Sequence, residues 1–357
     1  MRRLYPGDYT LTVFGTIPGR HNPVIADLWG RDRFLWIPTG MVVPRLGALA
    51  DTPWAIEVFR RVHALFTRLF PGKTCHFSIY TLMDATPKPN WLEPGCYYEG
   101  RYESRYYHLI ANEPAPALHL PAPIVATVIA RLEERFSTTS RRRCAFYIRH
   151  KGLVVEEDLS SALRRSSSLD DHLPAIDVLV AAGYQVLLTG DVTAPPELVA
   201  AYGGAVVDWR ASGTDRDTYM VFAGTEADIH IGNLSGGSAF LWVTDMPGLM
   251  LNAFPPGNAI PNATLHYKSV HGPDGRPVPL ETQLSGLFSD IDTHGYVVET
   301  CSPQEMADVV SDFVAHCHAH RPYGVDPADL GIDAPWIKGA NARLSPIWLN
   351  SLTEARN

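Results

Sequence analysis

The sequence predicts an α/β protein whose parallel sheet is covered by helices on both faces. Strand-like and helix-like segments alternate strictly from Cys144 onward, which is typical of such a sheet. Hydrophobic residues make up 46% of the 357 residues and charged residues 19%, so the chain can bury a sizeable core. At roughly 150 residues per domain, this length predicts two domains.

The first 140 residues show a weaker form of the same pattern. β-rich segments at 9–14 and 34–37 predict two strands. Apolar residues at helical spacing predict a helix over 54–70. A second helix is predicted over 123–136, with a proline in its first turn. The polar stretch 137–143 then predicts a boundary between the two halves of the chain.

The second half has the clearer signals. Its predicted strands are 144–148, 186–189, 205–207, 228–231 and 249–251, and its predicted helices are 172–182, 195–202, 216–225, a short one from Ser238, and 303–320. The first of these helices, 172–182, is expected to have Asp170 or Asp171 near its cap. This alternation predicts a Rossmann-type nucleotide-binding domain.

The net charge and the cysteine content indicate which binding partners and which cellular compartment to expect. The formal net charge is −8, so general nucleic-acid binding is not expected, although a local basic pocket can still hold a phosphate. The five cysteines are scattered and odd in number, which favours free thiols in a reducing compartment. With neither a signal-peptide pattern nor a long apolar run, we expect a cytoplasmic protein without membrane insertion.

Cations follow the first strand of the second half. Arg149, His150 and Lys151 are consecutive, and the planar guanidinium of Arg149 matches the oxygens of a diphosphate. The alternative is a solvated charge run at a strand end. Ligands of parallel sheets bind beyond the carboxyl ends of strands, so the positions of Gly190 and Asp191 after the next strand suit a base or ribose.

A glycine-rich turn follows the strand at 228–231. Glycines let backbone N–H groups approach an anion closely, and three side chains of this turn can donate further hydrogen bonds. The candidate phosphate-binding residues here are Asn233, Ser235, Gly236, Gly237 and Ser238. The alternative is an ordinary β–α turn.

Candidates for acid–base chemistry and acceptor binding lie in the first half. His21 follows a strand and a glycine-containing turn, and histidine suits deprotonation of a hydroxyl; Asp27 is a substitute. A structural loop histidine is the alternative. The aromatic and basic stretch with Tyr97, Tyr98 and Arg101 offers stacking faces to an acceptor, unless these residues are ordinary packing.

Several known motifs are absent. There is no P-loop, no GxGxxG after a strand and no GxSxG turn. Asp290 and Asp292 have the spacing of a metal-binding pair in a polar loop, but no metal site is expected there. The run 316–320 is histidine-rich, yet residues i and i+2 of a helix do not face each other. We interpret it as a helix end, where cations are favourable.

The ordered motifs of the second half resemble a bacterial glycosyltransferase family with the GT-B fold, distantly similar to fucosyltransferases. The segments that support the resemblance are the strand with Arg149, the stretch 164–186, Thr189–Gly190–Asp191, 207–212, 227–236, Leu251–Asn252 and 298–306. Asp208, in the segment 207–212, is a further candidate nucleotide-binding residue. Two positions depart from the family pattern: His150 replaces an acid, and Trp209 replaces a tyrosine.

The resemblance implies two Rossmann-type domains that face each other across a cleft. Residues 1–140 would form an acceptor-side domain, 141–330 a domain that binds the nucleotide sugar, and 331–357 a segment that crosses back to the first domain. The implied activity is metal-independent hexosyl or deoxyhexosyl transfer from a nucleotide sugar to a small-molecule or glycan acceptor. No other cofactor is expected.

Within this activity, Arg149 and the turn around Ser235 would bind the leaving diphosphate, aided by Arg164. The alternatives are a nucleotide-sugar epimerase or hydrolase on the same fold, and a non-catalytic protein that binds sugar nucleotides. The sequence leaves homodimer formation open.

Overall fold

The computed structural model describes residues 11–15, 34–38, 118–136, 142–150, 166–242, 244–254, 256, 259–284, 295–331, 337 and 340–354. Contacts divide the chain into two compact units, Met1–Cys96 and Tyr97–Asn357. The division lies ahead of the predicted boundary at residue 140, because the helix Ala122–Arg135 contacts two helices of the second unit.

In the first unit, strands β1 (Leu11–Gly15) and β2 (Phe34–Pro38) pair in parallel, with Leu11 opposite Phe34. Both strands confirm the sequence prediction to within a few residues. The helix predicted over 54–70 lies outside the described residues.

The second unit contains the remaining elements. Its strands are β3 (Arg142–Ile148), β4 (Tyr184–Gly190), β5 (Val206–Val207), β6 (Ile229–Gly232), β7 (Gly248–Ala253), β8 (Ala263–Tyr267), β9 (Ser269–His271), β10 (Val297–Glu299) and β11 (Arg343–Leu344). Its helices are α1 (Ala122–Arg135), α2 (Leu169–Ala181), α3 (Pro196–Ala201), α4 (Trp209–Ser212), α5 (Arg216–Glu226), α6 (Leu280–Leu284), α7 (Pro303–His318) and α8 (Pro346–Glu354). Short 3₁₀ helices span Gly236–Trp242 and Pro327–Leu330.

Seven strands form one parallel sheet in the order β11-β8-β7-β6-β3-β4-β5. The chain runs outward from β3 through β4 to β5 and then returns to β6 on the other side of β3. This is the order of a doubly wound nucleotide-binding sheet, so the α/β prediction is confirmed for this unit. Strands β9 and β10 pair separately and antiparallel.

The sheet is buried on both faces because its strands are apolar at nearly every position. On one face Cys144, Phe146 and Ile148 pack with residues of α2 and α7 in a single core cluster. On the other face Tyr267 packs against Trp348 of α8, with ring centroids 5.0 Å apart. Two-sided burial explains why continuous apolar runs, and not alternating ones, mark these strands.

Local sequence fixes the ends of the two long helices on the first face. Ser168 caps α2 by accepting a hydrogen bond from the Asp171 N–H, and Ser302 caps α7 in the same way through Glu305. Each pair forms a capping box. The prediction that Asp170 or Asp171 lies near the cap of α2 is therefore confirmed: Ser168 is the cap and Asp171 is the N3 residue of the capping box.

Candidate functional site

The carboxyl ends of β3 and β6 meet where the chain changes direction across the sheet. In doubly wound sheets, ligands bind in the crevice outside this switch point. Arg149 directly follows β3, and Asn233 directly follows β6. The structure therefore brings two of the predicted phosphate-binding residues to the same edge of the sheet.

Hydrogen bonds hold Arg149 and Asn233 together. The Arg149 N–H donates to Asn233 Oδ1 at 2.9 Å, and the Asn233 N–H donates to the Tyr147 carbonyl at 3.1 Å. The Arg149 carbonyl accepts from the Ser167 N–H at 2.9 Å. Arg149 is half-buried. Its backbone is therefore anchored on two sides, while the residue keeps access to solvent at the crevice.

The Asn233 side chain is fully buried and engaged on all sides. Besides accepting from Arg149, it donates through Nδ2 to the Leu251 carbonyl at 3.2 Å and to Ser167 Oγ at 3.3 Å. These bonds join β3, β6, β7 and the residues before α2. Asn233 thus positions the site, whereas the sequence suggested that its side chain would donate to the ligand.

Ser238 also faces inward. It is fully buried, and its hydroxyl donates to the Asn233 carbonyl at 2.8 Å. His230 Nε2 lies 3.4 Å from the same hydroxyl. Ser238 therefore closes the turn from inside, and its predicted contact with a phosphate stays a prediction.

Ser235 is half-buried and pairs with Tyr147, whose phenol oxygen lies 3.0 Å from Ser235 Oγ. Burial raises the pKa of the Tyr147 phenol, and the hydrogen bond with Ser235 offsets part of that rise. The phenol is therefore neutral at pH 7 and able to donate. When it donates, the Ser235 hydroxyl keeps its own proton for a ligand.

The ring of Tyr147 leaves no room for a side chain at Gly237. A Cβ at this position would lie 2.0 Å from Tyr147 Cε2, inside the ring's van der Waals surface. The reason for this glycine is thus close packing against Tyr147, which the sequence does not reveal. Gly236 adjoins it at the start of the 3₁₀ helix Gly236–Trp242, whose first N–H groups have no carbonyl partner within the helix.

Gly190 and Asp191 lie beside the end of β3. Gly190 has φ +97°, and a Cβ there would lie 2.2 Å from the Ile148 carbonyl oxygen. The Asp191 N–H donates to that carbonyl at 2.9 Å, and Asp191 Oδ2 accepts from the His150 N–H at 3.4 Å. The predicted nucleotide-binding pair is therefore next to the predicted phosphate-binding arginine.

Asp208 is 1% exposed and caps α4. One carboxylate oxygen accepts from the Ala211 N–H at 2.8 Å, and the other accepts from the Ala194 N–H at 3.1 Å. Both oxygens thus stabilise loops at the edge of the sheet. Its nucleotide-binding role stays a prediction.

Sequence reasoning missed a buried cation at this edge. Lys268 follows β8, is 2% exposed, and donates to the Ser166 carbonyl at 3.3 Å and to Thr300 Oγ1 at 3.2 Å. Burial lowers the pKa of its ammonium group. Among the described residues it has no ion pair with a carboxylate. Its place directly after a strand, like that of Arg149, is a weak signal, because β8 contains a threonine and a histidine.

The start of α2 is already occupied by acidic side chains. Asp170 and Asp171 lie in its first turn, and Asp171 closes the capping box with Ser168. Negative charge at this end offsets the positive pole of the helix. An anion at this edge would therefore need side-chain cations and hydroxyls, because the α2 dipole is already offset.

Six of the predicted site residues lie outside the described residues. They are His21, Asp27, Tyr97, Tyr98, Arg101 and Arg164. Their predicted roles as base, acceptor-binding residues and phosphate-binding residue stay predictions. The Asp290 and Asp292 pair is outside as well.

One group of side chains in the described part of the chain has the composition of a metal site. His266, Cys301 and Glu305 place their ligand atoms within 4.8 Å of one another. The histidine-rich end of α7 is arranged differently: His316 Nδ1 lies 2.8 Å from the Asp312 carbonyl, and His318 stacks on Tyr184.

Comparison with known proteins does not assign the chain to a family. No family model matches it, no curated protein matches it, and no solved structure matches it. Within the described residues, none of the helices combines the length and apolar character needed to cross a membrane.

Proposed function

We propose that this protein is a glycosyltransferase that moves a sugar from a nucleotide sugar to a small-molecule or glycan acceptor without a catalytic metal. One observation carries the proposal: Arg149, the turn around Ser235 and the pair Gly190–Asp191 converge at the switch point of a doubly wound sheet. Sheets of this order bind nucleotides at that point. The two-domain GT-B arrangement is part of the same proposal.

The leaving diphosphate would bind between Arg149 and Ser235. As the acceptor attacks the anomeric carbon, the bond to the diphosphate breaks and negative charge accumulates on the phosphate oxygens. Arg149 supplies a bidentate guanidinium, and Ser235 supplies a hydroxyl oriented by Tyr147. Because Asn233 already holds the Arg149 backbone, little reorganisation is needed as the charge develops.

The nucleoside would lie over Gly190 and Asp191. The absence of a side chain at Gly190 lets the chain pass against β3, and the Asp191 carboxylate can accept hydrogen bonds from ribose hydroxyls. Arg216 supports this segment by donating to the Gly190 carbonyl at 3.2 Å.

In this proposal, a residue of the first half of the chain removes the proton from the acceptor. His21 is the general base, with Asp27 as its substitute, and Tyr97, Tyr98 and Arg101 contact the acceptor. Loss of His21 would remove the acidic limb of the pH–rate profile, in which the rate falls as the base becomes protonated. An unchanged profile in His21→Ala would exclude it as the base.

The test is product analysis with a panel of nucleotide sugars, with and without acceptors. Release of nucleoside diphosphate that depends on the acceptor and yields a glycosylated product supports the proposal. Turnover of the nucleotide sugar alone indicates the epimerase or hydrolase alternative, and binding without turnover indicates a sugar-nucleotide-binding protein. In the active system, Arg149→Ala is expected to lower turnover by about 10²-fold or more.

A further inference from the structure

A second set of reactive side chains lies at the end of β8. His266 is fully buried, and its Nε2 lies 3.1 Å from Glu305 Oε1. Cys301 Sγ completes a group whose ligand atoms are all within 4.8 Å of one another. None of these residues takes part in the proposed sugar transfer.

Each member is held in place by backbone or side-chain contacts. Glu305 is the N3 residue of α7, and its Oε2 accepts from the Ser302 N–H at 3.3 Å, which leaves Oε1 directed at His266. Cys301 comes just before the cap, and its N–H donates to Asn252 Oδ1 at 2.8 Å. The positions of these side chains therefore follow from the capping box and the strand end.

The second nitrogen of His266 also has a partner. Nδ1 lies 3.0 Å from Ser345 Oγ, at the start of α8. A ligating histidine generally donates its other ring N–H to an oxygen, which fixes the tautomer and turns the free nitrogen toward the metal. In a metal-bound state, Nδ1–H would donate to Ser345 and the lone pair of Nε2 would face the metal.

We propose that His266, Cys301 and Glu305 form a zinc site that joins β8 to the start of α7. Imidazole nitrogen, thiolate sulfur and carboxylate oxygen are the three ligand types that Zn²⁺ takes in proteins. Bond lengths of about 2.0–2.3 Å to a common centre fit ligand atoms this close together. Glu305 is partly exposed, so water can occupy the fourth position.

Metal binding would displace the thiol proton. Burial raises the pKa of the Cys301 thiol. Because Zn²⁺ binds the thiolate, the thiol proton would leave to solvent when the metal binds.

Two residues, Asn252 and Ser167, connect the site to the predicted ligand crevice. Asn252 accepts from the Cys301 N–H and donates through Nδ2 to Ser167 Oγ at 3.2 Å. Ser167 in turn accepts from Asn233. Zinc would thus stabilise the carboxyl edge of the sheet, and this role does not depend on the proposed sugar transfer.

The experiment uses the full chain after removal of metal with a chelator, with Co²⁺ as a spectroscopic probe. We expect one Co²⁺ per chain, with a thiolate-to-cobalt charge-transfer band and the visible bands of a tetrahedral ion. Zn²⁺ should displace it. Cys301→Ser should abolish the charge-transfer band and weaken zinc binding by about 100-fold or more, since loss of an outer-shell partner alone costs 10–100-fold.

Two control variants distinguish metal binding at this site from metal binding by another thiol and from a loss of stability. Cys317→Ser removes a partly buried thiol on α7 beside the histidine-rich end, and it should leave the band unchanged. Ser302→Ala removes the cap of α7 while keeping all three ligands, so it should lower stability but retain stoichiometric binding. Failure of the wild type to bind Co²⁺, or loss of the band in Cys317→Ser with its retention in Cys301→Ser, would overturn the proposal.

Discussion

The Arg149 N–H donates to Asn233 Oδ1 at 2.9 Å, and this bond joins the ends of β3 and β6 across the switch point of the sheet. It links the residue best suited to bind a phosphate with the residue that opens the glycine-rich turn. The crevice is therefore held by a buried amide and does not depend on loop packing alone.

Asn233→Ala is expected to destabilise the protein by roughly 2–4 kcal/mol, because it leaves the Arg149 N–H and the Leu251 carbonyl without their partner in the interior. Urea unfolding measures the change. Gln304→Ala, which removes an exposed amide paired with Asp308, is the control and should cost less than about 0.5 kcal/mol. Equal losses of unfolding free energy for the two substitutions would show that the hydrogen bonds of Asn233 do not stabilise the fold.

Gly190→Ala and Gly183→Ala form a matched pair. Both glycines have positive φ, +97° and +84°, but a Cβ at 183 meets nothing within 4 Å, whereas one at 190 lies 2.2 Å from a backbone oxygen. Gly183→Ala should cost about 1–2 kcal/mol from backbone strain alone. Gly190→Ala should cost at least about 2 kcal/mol more, measured by urea unfolding. Similar costs would mean that β3 and β4 can separate locally without penalty.

Stability should fall in mild acid because of two buried histidines. Burial lowers the pKa of His172 and of His230 to about 4. Below pH 6.5 the unfolded chain takes up protons that the folded chain does not, so stability present above pH 6.5 is lost between pH 6.5 and 4. The loss approaches about 3 kcal/mol per histidine.

Unfolding free energies of the wild type and of His172→Phe at pH 7.5 and 5.0 test this expectation. Both ring nitrogens of His172 lack a hydrogen-bond partner among the described residues, so phenylalanine should be tolerated there. The variant should lose less stability on acidification than the wild type. If His172→Phe loses as much unfolding free energy between pH 7.5 and pH 5.0 as the wild type does, the expectation is wrong.

Lys268→Met should retain the fold and weaken binding of a nucleoside diphosphate. The ammonium group is buried with only a carbonyl and a hydroxyl as described partners, so its removal changes the free energy of unfolding by less than about 1 kcal/mol. Calorimetric titration should show weaker binding with a smaller salt dependence. A large loss of stability with unchanged binding would make Lys268 a structural residue.

Much of the second unit could be predicted from the sequence, for physical reasons. Buried parallel strands are continuous apolar runs, and the helices between them have caps, so β3, β4, β6 and α2 are predicted within a few residues. Strand β8 was missed because Ala263–Tyr267 contains a threonine and a histidine, which weaken the apolar signal. His266 and Lys268 were missed with it.

The sequence predicted the location of the candidate site better than it predicted the orientation of the side chains there. The strand order brings Arg149 and Asn233 together. This was expected, because both residues follow strands of a parallel sheet and ligands bind beyond the carboxyl ends of such strands. Which polar groups face a ligand depends on side-chain packing, which periodicity does not report. Asn233, Ser238 and Asp208 face inward for that reason, and Gly237 accommodates a ring that lies 90 positions earlier in the chain.

The most direct test of the central claim, that a diphosphate binds between Arg149 and the turn at Ser235, is nucleoside diphosphate binding to the wild type and to Arg149→Ala. Arg131→Ala, at an exposed arginine of α1, is the control. At 100 times its dissociation constant, a bound nucleoside diphosphate should add about 2.7 kcal/mol to the free energy of unfolding of the wild type and of Arg131→Ala, and far less to Arg149→Ala. Equal stabilisation of all three proteins, or no binding to the wild type across all nucleobases, would contradict the account.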